Sequence, residues 1–187
     1  MEYTSLFGET PSAAEASSVD RQGRDALWEE RYRESIRYRI IRIAEDELGV
    51  REATGNNDGV RVEEYLAYTG LGKGHAWCAA FVSWCYGQAG LSEPRNPWSP
   101  ALLPKSKTYC SGSSACLPSA TARTVSPADI FGIYSISAKR INHVGLIKAQ
   151  EGKYLVTIEG NVTDKVLSKR RHISAVHAIA DWVLDEL

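Results

Sequence analysis

The sequence predicts an α+β fold in which N-terminal helices pack on a C-terminal antiparallel sheet. Two observations support this prediction. Between residues 25 and 48, apolar residues recur at steps of three and four, as they do along one face of a helix, and two further segments before residue 90 are typical of helices. After residue 129 the pattern changes to short runs rich in β-branched residues, separated by tight turns. Helices followed by strands along one chain are typical of α+β proteins.

Three helices are predicted in the N-terminal half. Isoleucines and other apolar residues recur with a helical period between residues 25 and 48, and Gly49 is suited to end that helix. The stretch VRVEEYLAYTGL, residues 60–71, is typical of a second, shorter helix. The third helix, from Cys78 to about Gln88, is apolar on nearly all sides, so we expect it to be the central buried helix.

Four strands are predicted after a long connection. Residues 91–129 are rich in proline and serine and predict an extended loop, of the kind that is usually functional or mobile. The strands are predicted at residues 130–136, 143–149, 153–160 and 175–184. A tight turn between the second and third strands predicts a hairpin, so these two strands should pair antiparallel.

Composition and charge are those of a globular protein. The chain has 187 residues, of which 43% are hydrophobic and 24% charged, and its formal net charge is -1. This charge argues against a nucleic-acid partner, and no apolar run approaches the roughly 20 residues of a transmembrane helix, so we expect no membrane partner. Residues 1–24 predict a poorly ordered arm, and residues 25–187 a single domain.

Cys78 stands in the stretch AWCAAFVSWC, at the predicted start of the third helix. The partial positive charge and the unpaired N–H groups of a helix N-terminus favour a thiolate, and the same N–H groups can form half of an oxyanion hole. Cys78 is therefore the candidate nucleophile, the alternative being an inert structural cysteine. Cys85, two turns later, is interpreted as a small buried hydrophobic residue.

A thiol nucleophile needs a base, and the base needs a group that orients it. His143 opens the second predicted strand, in NHVGLI, and Gly145 beside it leaves room for a substrate or a helix. Glu159 and Asn161, in TIEGNV, point to one face if that strand is extended. Pairing of the two strands would bring a carboxylate or an amide to the imidazole, as in a catalytic triad. A structural histidine and ordinary turn residues are the alternatives.

Four further residues are candidates for substrate contacts: His75, Trp77, Trp98 and Asn56. The two tryptophans are either core residues or part of a cleft wall, and Trp98 is the better candidate to touch a sugar or a peptide. Asn56 belongs to a loop that resembles a calcium loop in composition but lacks its ligand spacing, which favours a turn. His75 is either a cleft residue or an exposed turn histidine.

The remaining cysteines do not indicate a metal site. No Cys-x-x-Cys pair is present, so a zinc knuckle or a thioredoxin-type site is not expected. Cys110 and Cys116 bracket a short flexible loop that permits a disulfide, and the redox compartment decides whether it forms.

The motifs together resemble a known family. AWCAAFVSWC, NHVGLI and TIEGNV are similar to the signature blocks of CHAP domains, the cysteine, histidine-dependent amidohydrolase/peptidase group of the NlpC/P60-like, papain-related superfamily. The resemblance covers about residues 40–184, and residues 91–128 depart from the family pattern.

What the resemblance implies is an enzyme with a papain-like fold and a bacterial cell-wall substrate. Cys78 would be the nucleophile, His143 the general base, Glu159 the group that orients the base and Asn161 a further polar group of the site. The reaction would be hydrolysis of amide bonds in peptidoglycan or muropeptides, with no metal or organic cofactor. Nothing in the sequence identifies an inhibitor or immunity protein.

Other classes of function stay open at this point. The same thiol site would serve a thiol acyltransferase or a small-molecule amidase, and the chain could instead be a non-catalytic binding module or a zinc protein. The first 20 residues contain neither a basic segment nor a continuous apolar segment, so we expect no signal peptide. Synthesis in the cytoplasm is then expected, with any export by phage lysis or by a dedicated secretion machine.

Overall fold

Three helices precede the sheet along the chain, as predicted. The computed structural model describes residues 30–32, 34–112 and 124–183. Helix α1 covers residues 34–46, with further helical residues at 30–32, while α2 spans Val60–Tyr68 and α3 spans Cys78–Gln88. The predicted N-terminal arm lies outside the described residues, as do residues 25–29 of the first predicted helix.

The strands form one six-stranded antiparallel sheet in the order β1-β6-β2-β3-β4-β5. Their bounds are β1 Thr108–Ser111, β2 Ile130–Ser135, β3 Arg140–Glu151, β4 Tyr154–Glu159, β5 Leu167–His172 and β6 Ala178–Ala180. Strands β3 and β4 form the predicted hairpin, with Glu151 paired to Tyr154 on either side of the turn. The helices pack on this sheet, which confirms the α+β architecture.

Three parts of the sheet differ from prediction. The region predicted as one long loop contains the 3-10 helix Ser99–Leu102 and the edge strand β1. Strand β5 is missed because its sequence, LSKRRH, is polar on both faces, which an edge strand tolerates. Strand β6 has three residues rather than ten, since the chain leaves the sheet at Asp181, whose carboxylate binds Arg37 of α1.

Alternate residues of the strands are buried on opposite faces of the sheet. On one face Val144 and Leu146 of β3 join the main hydrophobic cluster, to which α3 contributes all its residues from Cys78 to Tyr86 except Ser83. Ser83 is buried too, so α3 is the central buried helix that its composition predicts. On the other face Phe131 and Ile147 belong to a smaller cluster.

Cys110 of β1 is disulfide-bonded. The predicted pairing also involves Cys116, which lies outside the described residues. Cys85 is a free, fully buried cysteine, as interpreted from the sequence. Among the described helices, none is both long and apolar enough to cross a membrane.

Candidate active site

Cys78 is the first residue of α3 and faces a cavity of about 290 Å³. The preceding residue, Trp77, makes no side-chain capping bond, so it does not compete for the N–H groups of the first helical turn. The thiol is nearly buried, because the residue is only 5% exposed. The sulfur is therefore reached through this cavity at the start of α3.

The hairpin of β3 and β4 brings Glu159 to His143. Nε2 of His143 lies 2.8 Å from Oε2 of Glu159. The imidazole also interacts with the Cys78 thiol, through a hydrogen bond and through its charge. His143 thus lies between the thiol and the carboxylate and interacts with both. His143 is the fourth residue of β3, which begins earlier than predicted.

Glu159 is fully buried, and Arg171 of the neighbouring strand β5 balances its charge. Two guanidinium nitrogens of Arg171 donate to the two carboxylate oxygens, each at 2.6 Å. Thr157 donates to Oε1 at 2.5 Å. Each carboxylate oxygen therefore has two partners, and this arrangement holds the carboxylate in one orientation against His143.

Gly145 makes space for this carboxylate. A β-carbon at Gly145 would lie 2.9 Å from Cγ of Glu159 and 2.8 Å from a ring carbon of Phe131. The space that glycine leaves is occupied by these two neighbours, and not by a substrate or a helix as predicted from the sequence. Phe131 in turn packs edge-on against His143, with 6.2 Å between the ring centroids.

The pKa shifts of Cys78 and His143 favour an ion pair between the two side chains. Burial raises the pKa of the Cys78 thiol, but the hydrogen bond and the charge of His143 outweigh it, and the pKa falls below its usual range. Burial lowers the pKa of His143, but its hydrogen bonds to Cys78 and Glu159 raise it further, to about 9. A thiolate beside an imidazolium is therefore the favoured state near neutral pH.

The same balance keeps Glu159 ionised. Burial raises the pKa of this carboxyl, whereas hydrogen bonds from Arg171, His143 and Thr157 lower it, to about 2. Sequence reasoning missed Arg171 and Thr157. An alternation of Thr157 and Glu159 along one strand was visible in TIEGNV, but the arginine lies on a strand that was not predicted.

Ser99 is a further polar neighbour of the nucleophile. Its Oγ lies 3.5 Å from Sγ of Cys78, and the residue is 6% exposed. A hydroxyl at this position can donate to a thiolate. This contact was not predicted, because Ser99 belongs to the region that was predicted as a loop.

Trp77 is a core residue and does not line the cavity. It is fully buried, and its indole Nε1 donates to Oε1 of Glu52 at 2.8 Å. Glu52 also accepts the backbone N–H of Asn57 at 2.7 Å. This buried carboxylate, which sequence reasoning missed, ties the residue before the nucleophile to the loop at residues 51–59.

Asn161 binds the same loop rather than the imidazole. Strand β4 ends at Glu159, and Asn161 has a left-handed φ of 58°, so the two residues do not share one face of an extended strand. Its amide donates to Oδ1 of Asn57 at 3.1 Å. Asn56 is exposed, donates to Thr54 and is not part of the cavity lining.

His75 and Trp98 do line the cavity at Cys78. Trp98 is 57% exposed and presents a large apolar ring at the surface. Arg140 and Asn142 of β3 add polar groups to the same cavity. Sequence reasoning passed over both residues because the strand was predicted to begin at His143.

The described residues contain no group of three or more His, Cys, Asp or Glu side chains placed to hold a metal ion. No model of a known protein family matches this chain, and neither does any curated protein or solved structure.

Proposed function

We propose that the protein is a papain-like cysteine hydrolase of the CHAP type that cleaves amide bonds in bacterial peptidoglycan. The observation that carries the proposal is the position of His143, which interacts with the Cys78 thiol at the start of a buried helix and with the Glu159 carboxylate at 2.8 Å. The stretches AWCAAFVSWC, NHVGLI and TIEGNV resemble CHAP motifs and contain Cys78, His143 and Glu159 respectively. This resemblance supports the substrate class.

Acylation begins with attack of the Cys78 thiolate on the carbonyl carbon of the substrate amide. The oxyanion that forms faces the N–H groups of the first turn of α3, which stabilise it. The His143 imidazolium then gives its proton to the leaving amine, and a thioester remains on Cys78. The shifted pKa of each partner supports this assignment, since attack needs a thiolate and departure of the amine needs a proton.

Deacylation uses the same groups in the opposite direction. The neutral His143 imidazole takes a proton from water, which attacks the thioester and releases a carboxylic acid. Cys78 returns to the thiolate state as His143 keeps the proton. Glu159 holds the imidazole in one orientation throughout, as the third member of a triad does.

Digestion of purified peptidoglycan sacculi by the full chain tests this proposal. We expect the wild type to release soluble fragments that carry one new amine and one new carboxyl group, as identified by mass spectrometry. Cys78→Ala and His143→Ala should release none above background. Cys85→Ala is the matched control on the same helix and should retain digestion. Digestion that survives Cys78→Ala would contradict the proposal.

Two other outcomes would point to the alternative functions. Acylation of Cys78 by small amides or esters without any release of wall fragments would indicate an acyltransferase or a small-molecule amidase. A Cys78 thiol that reacts with iodoacetamide no faster than free cysteine would indicate a non-catalytic binding module.

A further inference from the structure

We propose that a second cavity, next to the one at Cys78, binds a carboxylate of the substrate, so that acidic peptides are preferred. The proposal rests on the proposed hydrolase function and adds to it the chemical class of the substrate. The second cavity has a volume of about 450 Å³, larger than the cavity at the nucleophile. Arg140 lines both cavities, so they adjoin at this residue.

The charge in the second cavity has one sign. Lys105 and Arg140 supply cations, and no carboxylate is among the described residues that line the cavity. The other polar groups of the lining are the imidazole of His177 and the hydroxyl groups of Thr108, Ser111 and Tyr134. A cleft lined by charge of one sign attracts ligands of the opposite sign.

The two cations are also available to a ligand. Among the described residues, neither Lys105 nor Arg140 forms an ion pair, and Arg140 donates to the backbone carbonyl of Ile141 at 3.1 Å. Several other cations of the described chain pair with carboxylates instead, among them Arg37, Arg61, Arg171 and Lys148. Both Lys105 and Arg140 are exposed to solvent.

The position of Arg140 relates the cation to the reacting atoms. Arg140 and Asn142 are two residues apart on β3, and both line the cavity at Cys78. When the carbonyl carbon of a bound peptide lies at Cys78, the Arg140 guanidinium lies between that carbon and the second cavity. A guanidinium binds a carboxylate through two parallel hydrogen bonds, and Lys105 adds a second positive charge.

Peptide kinetics test the proposal directly. The probes are one muropeptide with free carboxyl groups and the same muropeptide with those groups converted to carboxamides. We expect kcat/KM of the wild type to be about tenfold higher for the free acid, as for loss of a hydrogen bond to a charged group. Arg140→Gln and Lys105→Gln should each bring this ratio closer to one.

Lys139→Gln is the matched control, because Lys139 is an exposed cation next to Arg140 but lines neither cavity. It should keep the ratio of the wild type. A ratio near one in the wild type, or a ratio that Arg140→Gln leaves unchanged, would overturn the proposal.

Alkylation of Cys78 supplies a readout that does not require hydrolysis. The thiolate displaces iodide from either iodoacetate, which is an anion, or iodoacetamide, which is neutral. We expect the ratio of the rate constant for iodoacetate to that for iodoacetamide to be higher for Cys78 than for glutathione at the same pH. Arg140→Gln should lower this ratio several-fold, whereas Lys139→Gln should not. High salt should lower it as well, since charge attraction is screened.

The two experiments separate the carboxylate site from the proposed function. If sacculi are not digested but the alkylation ratio depends on Arg140, the carboxylate site is supported and the hydrolase function is wrong. If sacculi are digested and neither ratio responds to Arg140→Gln, the carboxylate site is wrong and the hydrolase function is supported.

Discussion

Cys78 and Cys85 lie two turns apart on α3, and both are buried. Burial raises the pKa of the Cys85 thiol well above its usual range, and the charge of Glu47 adds to this shift. Burial acts in the same direction on Cys78, but the hydrogen bond and charge of His143 reverse the result. A charged partner, and not the degree of burial, therefore decides which of these thiols has a lowered pKa.

Iodoacetamide at about pH 6 should distinguish the two cysteines in the folded protein. We expect alkylation of Cys78 and none of Cys85, because the thiolate is the reacting species and only Cys78 has a lowered pKa. Mass mapping of peptides after timed alkylation measures both sites. In His143→Ala, which lacks one favourable charge, the Cys78 profile should move to higher pH. If alkylation of Cys78 rises only near the pKa of an ordinary thiol, and His143→Ala does not change this pH dependence, the two residues are not partners.

Glu159→Gln should move the alkaline limb of activity to lower pH. His143 must be protonated to release the leaving amine, and the hydrogen bond to Glu159 is one of the interactions that raise its pKa to about 9. Glutamine removes the negative charge, so the imidazolium is less stable and loses its proton at lower pH. The measurement is kcat/KM of the two proteins between about pH 5 and 10, whose limbs belong to the coupled pair.

His143→Ala supplies the comparison for Glu159→Gln. The glutamine variant should retain more activity, because nucleophile and base are both still present. Thermal unfolding shows whether the variant is folded under the assay conditions. An alkaline limb at the same pH in Glu159→Gln and wild type would mean that Glu159 does not act on His143.

At the scale of the element, strand β5 shows how an edge strand serves a buried site. Its neighbouring arginines differ in environment: Arg170 pairs with the exposed Glu151 at 3.2 Å, and Arg171 pairs with the buried Glu159. Alternation along the strand sends one to solvent and the other to the carboxylate behind His143. The strand therefore contributes the counter-charge that allows a carboxylate to stay ionised inside the protein.

Arg171→Gln should destabilise the fold far more than Arg170→Gln. Removal of Arg171 leaves Glu159 buried without its main counter-charge, at a cost of about 3 kcal/mol in the free energy of unfolding. Arg170 and Glu151 form an exposed pair, and its loss should cost about 1 kcal/mol or less. Urea denaturation followed by circular dichroism compares the two variants. Equal losses would mean that Arg171 does not compensate the buried charge.

At the scale of the whole molecule, one guanidinium joins α1 to the ends of two neighbouring strands, β2 and β6, that are far apart along the chain. Arg37 donates to Asp129, just before β2, at 2.9 Å and to Asp181, just after β6, at 2.5 Å. It also donates to the carbonyl of Pro127 at 2.9 Å. The first helix is thereby attached to the sheet through a buried ionic cluster as well as through its apolar face.

Arg37→Met should lower the free energy of unfolding by about 3–5 kcal/mol, because two buried carboxylates lose their shared partner. Arg42→Met, on the same helix, is the control. Arg42 pairs with Asp46 at 3.9 Å on the exposed surface, and its loss should cost about 0.5 kcal/mol. The cluster shares no residue with the candidate active site, so we expect Arg37→Met to retain kcat/KM at temperatures where it is folded. Similar stabilities of the two variants would contradict this account.

The sequence by itself determined the features that depend on residues close together along the chain. The bounds of α3 and the position of Cys78 at its first residue follow from a continuous apolar run between glycines, and the hairpin of β3 and β4 follows from turn chemistry. The contact of Glu159 with His143 was predictable as well, because pairing across a hairpin is a local matter.

The tertiary structure alone decided which groups surround that contact. A left-handed turn separates Asn161 from the imidazole, and Ser99 reaches Cys78 from a region with no strong periodic signal. Arg171 balances Glu159 from an edge strand whose polar sequence gives no strand pattern. The physical reason is common to all three. A polar or charged side chain takes its hydrogen-bond partner from whichever segment packs against it. The packing of two segments that are far apart in the chain produces no periodic pattern in the sequence of either segment.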